Sequence, residues 1–262
     1  MTYFGFLLQF LIAPIFLLLA IIWWTSKSRK PTRGFQSGHA VWIAIAIHIV
    51  LALAYTTPWD NYLVATRVWY YNPKLVSGIV FGYVPIEEYT FFALETILAG
   101  LWWRFLEHKL PEPKNFKPSK LVRFATSFIL FGVWMISAYI FFSHNLPLTY
   151  LSITLFWALP AILPQLIFGA DILWQHRRLV ALAILVPATY LSLMDIVALK
   201  ATTWSISPAQ TTGIFIGSLP LEEGVFFFIT ATLVCFGITL LLAKESQLRW
   251  IEIKKTFKRL SV

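Results

Sequence analysis

The chain has 262 residues, of which 58% are hydrophobic and 13% are charged. Soluble proteins carry roughly 45–50% apolar and about 25% charged residues, so this composition excludes a water-soluble globule. The net charge of +9 does not indicate a nucleic-acid partner, because the basic residues lie between apolar runs and form no patch interleaved with aromatic residues. We therefore expect a polytopic membrane protein.

Seven apolar stretches along the chain are long enough to cross a membrane, which takes roughly 20 apolar residues in a helix. In chain order they cover residues 3–24, 39–57, 77–103, 121–142, 150–173, 179–199 and 212–243. These stretches predict an all-α integral membrane protein with seven transmembrane helices.

The positions of Lys and Arg predict how these helices are oriented. Most of them follow the first, third, fifth and seventh stretches, and the first connection carries Lys27, Arg29, Lys30 and Arg33. Cytoplasmic loops of membrane proteins are enriched in Lys and Arg. We therefore expect a multi-pass cell-membrane protein with its N-terminus outside and its C-terminus in the cytoplasm. The tail predicts either an amphipathic helix on the inner membrane surface or a solvated segment. Its basic residues include Lys254, Lys255, Lys258 and Arg259.

An internal repeat is the strongest signal in the sequence. A shift of 135 residues superimposes Asp60 on Asp195, Trp69 on Trp204, Pro85-Ile86-Glu87-Glu88 on Pro220-Leu221-Glu222-Glu223, and Phe91-Phe92 on Phe226-Phe227. Upstream, Phe10 and Pro14 match Phe156 and Pro160 more weakly. Each repeat contains three helices, and the extra fourth helix makes the two repeats parallel.

This repeat divides the chain into four predicted parts. A first three-helix repeat covers residues 1–106, and a linker with the fourth transmembrane helix covers 107–149. A second three-helix repeat covers 150–244, and a basic cytoplasmic tail covers 245–262. The cleft between the repeats is then the expected site.

The carboxyl groups Glu87, Glu88, Glu222 and Glu223 lie about ten residues inside two predicted helices. An ionisable group in a span costs roughly 2.5–3.5 kcal/mol, so these four either serve a function or hydrogen-bond the helices together. Desolvation and a neighbouring carboxyl both disfavour the charged form, so we expect at least one of each pair to stay protonated and available as a general acid. Adjacent helical residues diverge by about 100°, so one of each pair faces the cleft, and the sequence does not select which.

Further candidate site residues surround these glutamates in the sequence. Asp60 and Asp195, at the outer ends of two predicted helices, could accept a proton, orient a glutamate or cap a helix. Pro85 and Pro220 are expected to kink their helices and open space beside the carboxyls. The aromatic residues are either core and interface residues or the wall of a substrate site, since ring faces stabilise cations. They are Trp59, Trp69, Phe91, Phe92, Trp204, Phe226 and Phe227.

Several chemistries lack their usual signatures. The sequence has no glycine-rich dinucleotide fingerprint, no phosphate loop and no paired histidine spacing, so we expect no cofactor and no metal. The sequence has no paired Asp-rich segments to hold magnesium and a diphosphate, which argues against a membrane prenyltransferase. The seventh stretch contains no lysine that could form a Schiff base with retinal, so a retinal-binding protein of that kind is not supported.

The doubled motif resembles that of the membrane lycopene cyclases of the heterodimeric or fused type, and the chain looks like the fused two-repeat form. An Asp, a Trp nine residues later, a Gly-Ile pair, Pro-Ile/Leu-Glu-Glu and Phe-Phe occur twice. The resemblance implies that the two Glu-Glu pairs are catalytic and, less decisively, that Asp60 and Asp195 are. Pro85 and Pro220 of the same motif are expected to belong to the substrate-binding residues, together with the aromatic residues. Gly224 replaces Tyr89 and Met194 replaces Trp59 in the second copy, so the two halves need not be equally active.

The resemblance also implies an isomerase-type enzyme of carotenoid biosynthesis. It would convert the linear ends of lycopene to β-ionone rings, through γ-carotene to β-carotene, by acid-catalysed cyclisation without redox change. Its partners would be the lipid-soluble carotenoid, membrane lipid and other enzymes of the pathway. The residues alone leave open a noncatalytic carotenoid-binding protein, a proton-coupled carrier, or a cyclase that acts on C50 carotenoids or forms ε rings.

Overall fold

The computed structural model describes residues 1–26, 34–36, 38–111, 113 and 116–260. Lys27, Arg29, Lys30 and Arg33 of the first basic connection lie outside these residues, as do the side chains of Lys258 and Arg259. The tail forms a helix, as one of the two interpretations of its sequence predicts.

Long helices dominate the described part of the chain. The first is continuous from α1 (Tyr3–Leu7) through a π-helical turn (Leu8–Ile12) to α2 (Ala13–Ser26). The others are α3 (His39–Ala65), α4 (Ile86–Lys109), α5 (Lys120–Phe142), α6 (Thr149–Gln175), α7 (Arg177–Lys200), α8 (Leu221–Leu242) and α9 (Lys244–Leu260). Six helical segments in the described residues are long and apolar enough to cross a membrane, and α4 is not among them. The chain is therefore an all-α multi-pass membrane protein.

The predicted spans 77–103 and 212–243 begin too early. Residues before α4 form a hairpin of β2 (Val80–Phe81) and β3 (Val84–Pro85), and those before α8 form the matching hairpin of β5 (Phe215–Ile216) and β6 (Leu219–Pro220). Both turns contain a glycine at φ 66°, Gly82 and Gly217, a conformation that side chains other than glycine rarely adopt. Apolar residues in a hairpin have the same hydropathy as apolar residues in a helix, so the hydropathy pattern predicted helix for these residues.

Pro85 and Pro220 are N-cap residues, and the predicted kinks are wrong. A proline next to the first helical turn removes no internal hydrogen bond, because the first N–H groups of a helix have no partner within it. Each Glu-Glu pair consequently lies in the first turn of its helix instead of ten residues inside it.

The centre of the bundle is formed by α4 and α8, which contact each other and also pack on both α3 and α7. Small residues allow close approach in membrane proteins, where lipid supplies little hydrophobic driving force between helices. A Cβ added to Gly100 of α4 would lie 2.7 Å from Ile45 Cγ1, and one added to Gly237 of α8 would lie 1.9 Å from His48 Nε2. These two glycines therefore let α3 pack tightly against both central helices.

A two-stranded antiparallel pair joins the connections that follow α3 and α7. Strand β1 (Trp69–Tyr71) pairs with β4 (Trp204–Ile206), and Tyr70 lies opposite Ser205. These two residues are 135 positions apart, the same spacing as the sequence repeat. The pair lies at the end of the bundle where α4 and α8 begin.

Candidate active site

The first glutamate of each pair binds the backbone of its own hairpin connection. Glu87 Oε1 accepts a hydrogen bond from the Ser77 N–H at 2.5 Å, and Glu222 Oε1 accepts one from the Thr212 N–H at 2.6 Å. Both glutamates are fully buried. Because each carboxyl ties a helix start to the segment ten residues before it, these contacts fix the position of the hairpins.

The second glutamate of each pair is bound by a buried tyrosine. The Tyr3 hydroxyl donates to Glu88 Oε2 at 2.5 Å, and the Tyr150 hydroxyl donates to Glu223 Oε1 at 2.8 Å. The two tyrosines come from the first helix and from α6, outside the helices that carry the glutamates. Glu88 and Glu223 are also near enough for their charges to interact.

The two aspartates lie beside these glutamates, in the last turns of α3 and α7. Asp195 Oδ1 accepts a hydrogen bond from Trp204 Nε1 at 2.8 Å. Asp60 is fully buried, and neither of its carboxyl oxygens has a hydrogen-bond partner among the described residues. Asp60 and Asp195 both lie within electrostatic range of Glu88. Four carboxyl groups from four helices thus meet in one place.

A small cavity lies between these carboxyls, with a volume of about 20 Å³. Its wall includes Glu88, Glu223 and Asp195, and its aromatic lining is Tyr3, Trp69, Tyr71, Phe91, Trp204, Phe226 and Phe227. This volume holds about one water molecule. The aromatic walls must therefore move apart before a larger molecule can reach the acids.

The other predicted aromatic residues are also buried but lie farther from this cavity. Trp59 stacks between Trp157 and Phe226, with ring centroids 4.4 and 5.3 Å away and interplanar angles of 19° and 13°. Phe92 lines a second cavity, about 230 Å³ in volume. Five of the predicted binding residues therefore line the acid cavity: Trp69, Phe91, Trp204, Phe226 and Phe227. Trp59, Phe92, Pro85 and Pro220 do not line it.

No cation pairs with these acids among the described residues. The acidic members of the described ion pairs are Glu107, Asp171 and Glu245, all on the side of the bundle opposite the hairpins. Nor do the described residues contain a group of three or more His, Cys, Asp or Glu side chains that could hold a metal ion. Within the described part of the chain, the carboxyls of the site therefore have no cationic side chain as a partner.

Sequence reasoning missed Tyr3 and Tyr150 because a π-helical turn hides their equivalence. Tyr3 precedes Pro14 by eleven residues, whereas Tyr150 precedes Pro160 by ten, and the π-helical turn accommodates the extra residue. The hydroxyl of Tyr190 donates to the Phe10 carbonyl, and that of Tyr55, its repeat equivalent, donates to the carbonyl of Trp157. Phe10 thus corresponds to Trp157, and the predicted match with Phe156 is wrong by one residue.

The candidate acids lie in segments that match a known protein family. A model of the lycopene cyclase family matches residues 3–106 and 147–242, which include all six candidate acids. The chain belongs to the lycopene cyclase family. The cyclase is thus an enzyme of carotenoid biosynthesis that catalyses an intramolecular cyclisation, and this result favours neither a carrier nor a noncatalytic pigment-binding protein.

Named relatives agree with this assignment. Over 196 residues the cyclase is 39% identical to a lycopene beta-cyclase of Halobacterium salinarum, covering 75% of this chain and 81% of the relative. Over 204 residues it is 32% identical to a bifunctional lycopene cyclase/phytoene synthase of Phaeosphaeria nodorum, covering 72% of this chain and 34% of that protein. No solved structure matches the cyclase.

Proposed function

We propose that this cyclase converts the linear ends of lycopene to β-ionone rings, with Glu88 and Glu223 as its acid groups. The observation that carries the proposal is the convergence of these two glutamates with Asp195 on one aromatic-lined cavity. The name of the Halobacterium salinarum relative supports the β form of the ring. Sequence reasoning left the choice within each Glu-Glu pair open, and the hydrogen bonds of Glu87 and Glu222 to their hairpins favour the second member.

The reaction needs one proton to enter and one to leave. A protonated glutamate adds a proton to the terminal double bond of lycopene, and the next double bond attacks the resulting carbocation to close the ring. A carboxylate then removes a proton from a ring carbon, which forms the ring double bond and leaves the acids with the same total number of protons. Where an aspartate takes this proton, it must pass it back to the glutamate before the next cycle. No electrons are gained or lost, so the step is an isomerisation.

The surroundings of the acids suit each stage of this sequence. The hydroxyls of Tyr3 and Tyr150 stabilise the carboxylates that remain after proton donation, since hydrogen bonds to charged groups are the stronger ones. The faces of Trp69 and Trp204 stabilise the cation in a site with room for only about one water molecule. Asp60 and Asp195 are proposed to accept the returning proton or to hold the negative charge that balances the cation.

We also propose two parallel three-helix repeats within seven membrane crossings. In this arrangement α4 crosses the membrane in addition to the six apolar segments, and α5 links the two repeats. The bonds of Tyr3 to Glu88 and of Tyr150 to Glu223 support equivalent copies. The β1–β4 pair supports a pseudo-two-fold axis between the copies, because residues 135 apart lie opposite each other. The family match leaves out residues 107–146, which supports repeats at 1–106 and 150–244, a linker at 107–149 and a tail at 245–262.

Basic residues at one end of the bundle support an external N-terminus and a cytoplasmic C-terminus in the cell membrane. There, Arg249 of α9 pairs with Asp171 of α6, and Arg177 begins α7. Basic segments favour the cytoplasmic side. The acid cavity then lies toward the outer end of the bundle. The fungal relative is named as a bifunctional lycopene cyclase/phytoene synthase. This pairing of two activities supports contacts between this chain and other enzymes of the pathway.

The test is a set of single Glu→Gln variants in a lycopene-accumulating bacterial host, with pigments separated by chromatography. Glutamine keeps an acceptor for Tyr3 or Ser77 but cannot donate an acid proton. E88Q or E223Q is expected to lower ring formation by about 100-fold or more, in the range that general acid catalysis contributes. E87Q and E222Q, whose contacts hold the hairpins, are expected to keep most of it. Full activity in both E88Q and E223Q would overturn the acid role, and ε-ring or C50 products would overturn the product assignment.

A further inference from the structure

The second cavity lies inside the bundle, between α3, α4, α6 and α8. Its wall includes Leu51, which is 55% exposed near the middle of the 27-residue helix α3. Because this part of α3 lies at membrane depth, the cavity opens toward lipid and not toward water. A lipid-soluble molecule can therefore enter it directly from the bilayer.

An aromatic stack separates this cavity from the acids. Trp157 lines the larger cavity and Phe226 lines the acid cavity, with Trp59 stacked between them. A second pair of rings also lies between the cavities: Phe91 lines the acid cavity and Phe92 lines the larger one, with ring centroids 5.8 Å apart. A molecule that occupies both cavities would pass between these two sets of rings.

The larger cavity also contains a buried carboxyl group that the proposed reaction does not use. Glu95 is 4% exposed, and its Oε1 accepts a hydrogen bond from Thr230 Oγ1 at 2.5 Å. Glu95 lies seven residues beyond Glu88 on the same face of α4, about 10 Å farther along the axis. An ionisable residue at this depth is costly, so its place in the wall favours a ligand site over a simple packing gap.

We propose that the larger cavity binds the polyene chain of the carotenoid and directs its end between the aromatic rings to Glu88 and Glu223. The inference rests on the proposed function and adds the place where the substrate is held. The volume of about 230 Å³ is below the roughly 300–1,000 Å³ of pockets that enclose a whole drug-sized ligand. The cavity therefore holds the part of the chain next to the reacting end, and the remainder lies in the lipid.

The test fills the cavity and measures lycopene binding separately from cyclisation. Ala52 and Ala161 line it from opposite helices, whereas Ala54 is exposed on the same helix as Ala52 and does not line it. A52F, A161F and the control A54F are made in the chain that carries both Glu88→Gln and Glu223→Gln, so that bound lycopene is not consumed. Lycopene is achiral, so its induced circular dichroism with the purified protein in lipid nanodiscs reports binding.

We expect A52F and A161F to weaken lycopene binding by about tenfold or more, a free-energy change of about 1.4 kcal/mol, and A54F to leave it unchanged. A161V fills less space and perturbs the fold less, so it is expected to weaken binding by a smaller factor and decides the matter if the Phe variants do not fold. Unchanged binding in A52F and A161F, or in A161V when those do not fold, would overturn the cavity assignment. A wild-type chain that binds lycopene but forms no rings would overturn the proposed function and leave these binding results to decide the inference.

Discussion

Removing one hydroxyl group tests how the buried acid is supported. Tyr150 is fully buried and donates to Glu223 at 2.8 Å, and the cavity beside them has room for only about one water molecule. In Tyr150→Phe the carboxylate that forms on proton donation loses this donor. A hydrogen bond to a charged group contributes about 1.5–3 kcal/mol, so ring formation should slow by roughly 10- to 150-fold.

The assay measures the initial rate of cyclic pigment formation from lycopene in membranes that contain equal amounts of each protein. Tyr190→Phe is the matched control, because its hydroxyl donates to the Phe10 carbonyl at 2.7 Å, outside the acid cavity. It should keep most of the activity and lose about 0.5–1.5 kcal/mol of stability. Tyr3→Phe makes the same test of Glu88. Unchanged rates in Tyr150→Phe, or an equal loss in the control, would refute this account of the hydroxyl.

Two other sites give predictions that do not depend on the substrate. Gly82→Ala should lower the melting temperature in detergent more than Gly217→Ala, because both have positive φ but only at Gly82 would the new Cβ meet a side chain, 2.1 Å from Asn61 Oδ1. Equal losses would contradict the clash. Arg249→Gln removes the bidentate partner of Asp171, at 2.6 and 2.8 Å, whereas the Ser119 N–H and Arg123 remain, so it should cost about 1.5–3 kcal/mol. Limited proteolysis should then cleave α9 sooner, and unaltered cleavage would show that this pair does not hold the helix.

The sequence repeat was sufficient to predict that Glu88, Glu223 and Asp195 belong to one site, and the structure places these three carboxyls around one cavity. The repeat could not predict that Glu87 and Glu88 lie at a helix start, since the apolar residues 77–85 have the hydropathy of a span. The Gly82 and Pro85 signals for a turn and a helix start were present but were outweighed by that hydropathy. Tyr3 was not predicted for another reason: the π-helical turn Leu8–Ile12 shifts the register of its helix by one residue relative to the second copy.

The meeting of Glu88, Glu223 and Asp195 on one cavity has a consequence for the order of products. Lycopene has two ends, and a single acid chamber at one side of the membrane can receive only one of them at a time. Formation of a second ring then requires the molecule to withdraw after the first closure and present its other end, either by reversing in the bilayer or by dissociating and returning. The ratio of one-ring to two-ring pigment therefore measures the processivity of the enzyme, and it should depend on the concentration of competing lycopene in the membrane as well as on the rate of ring closure.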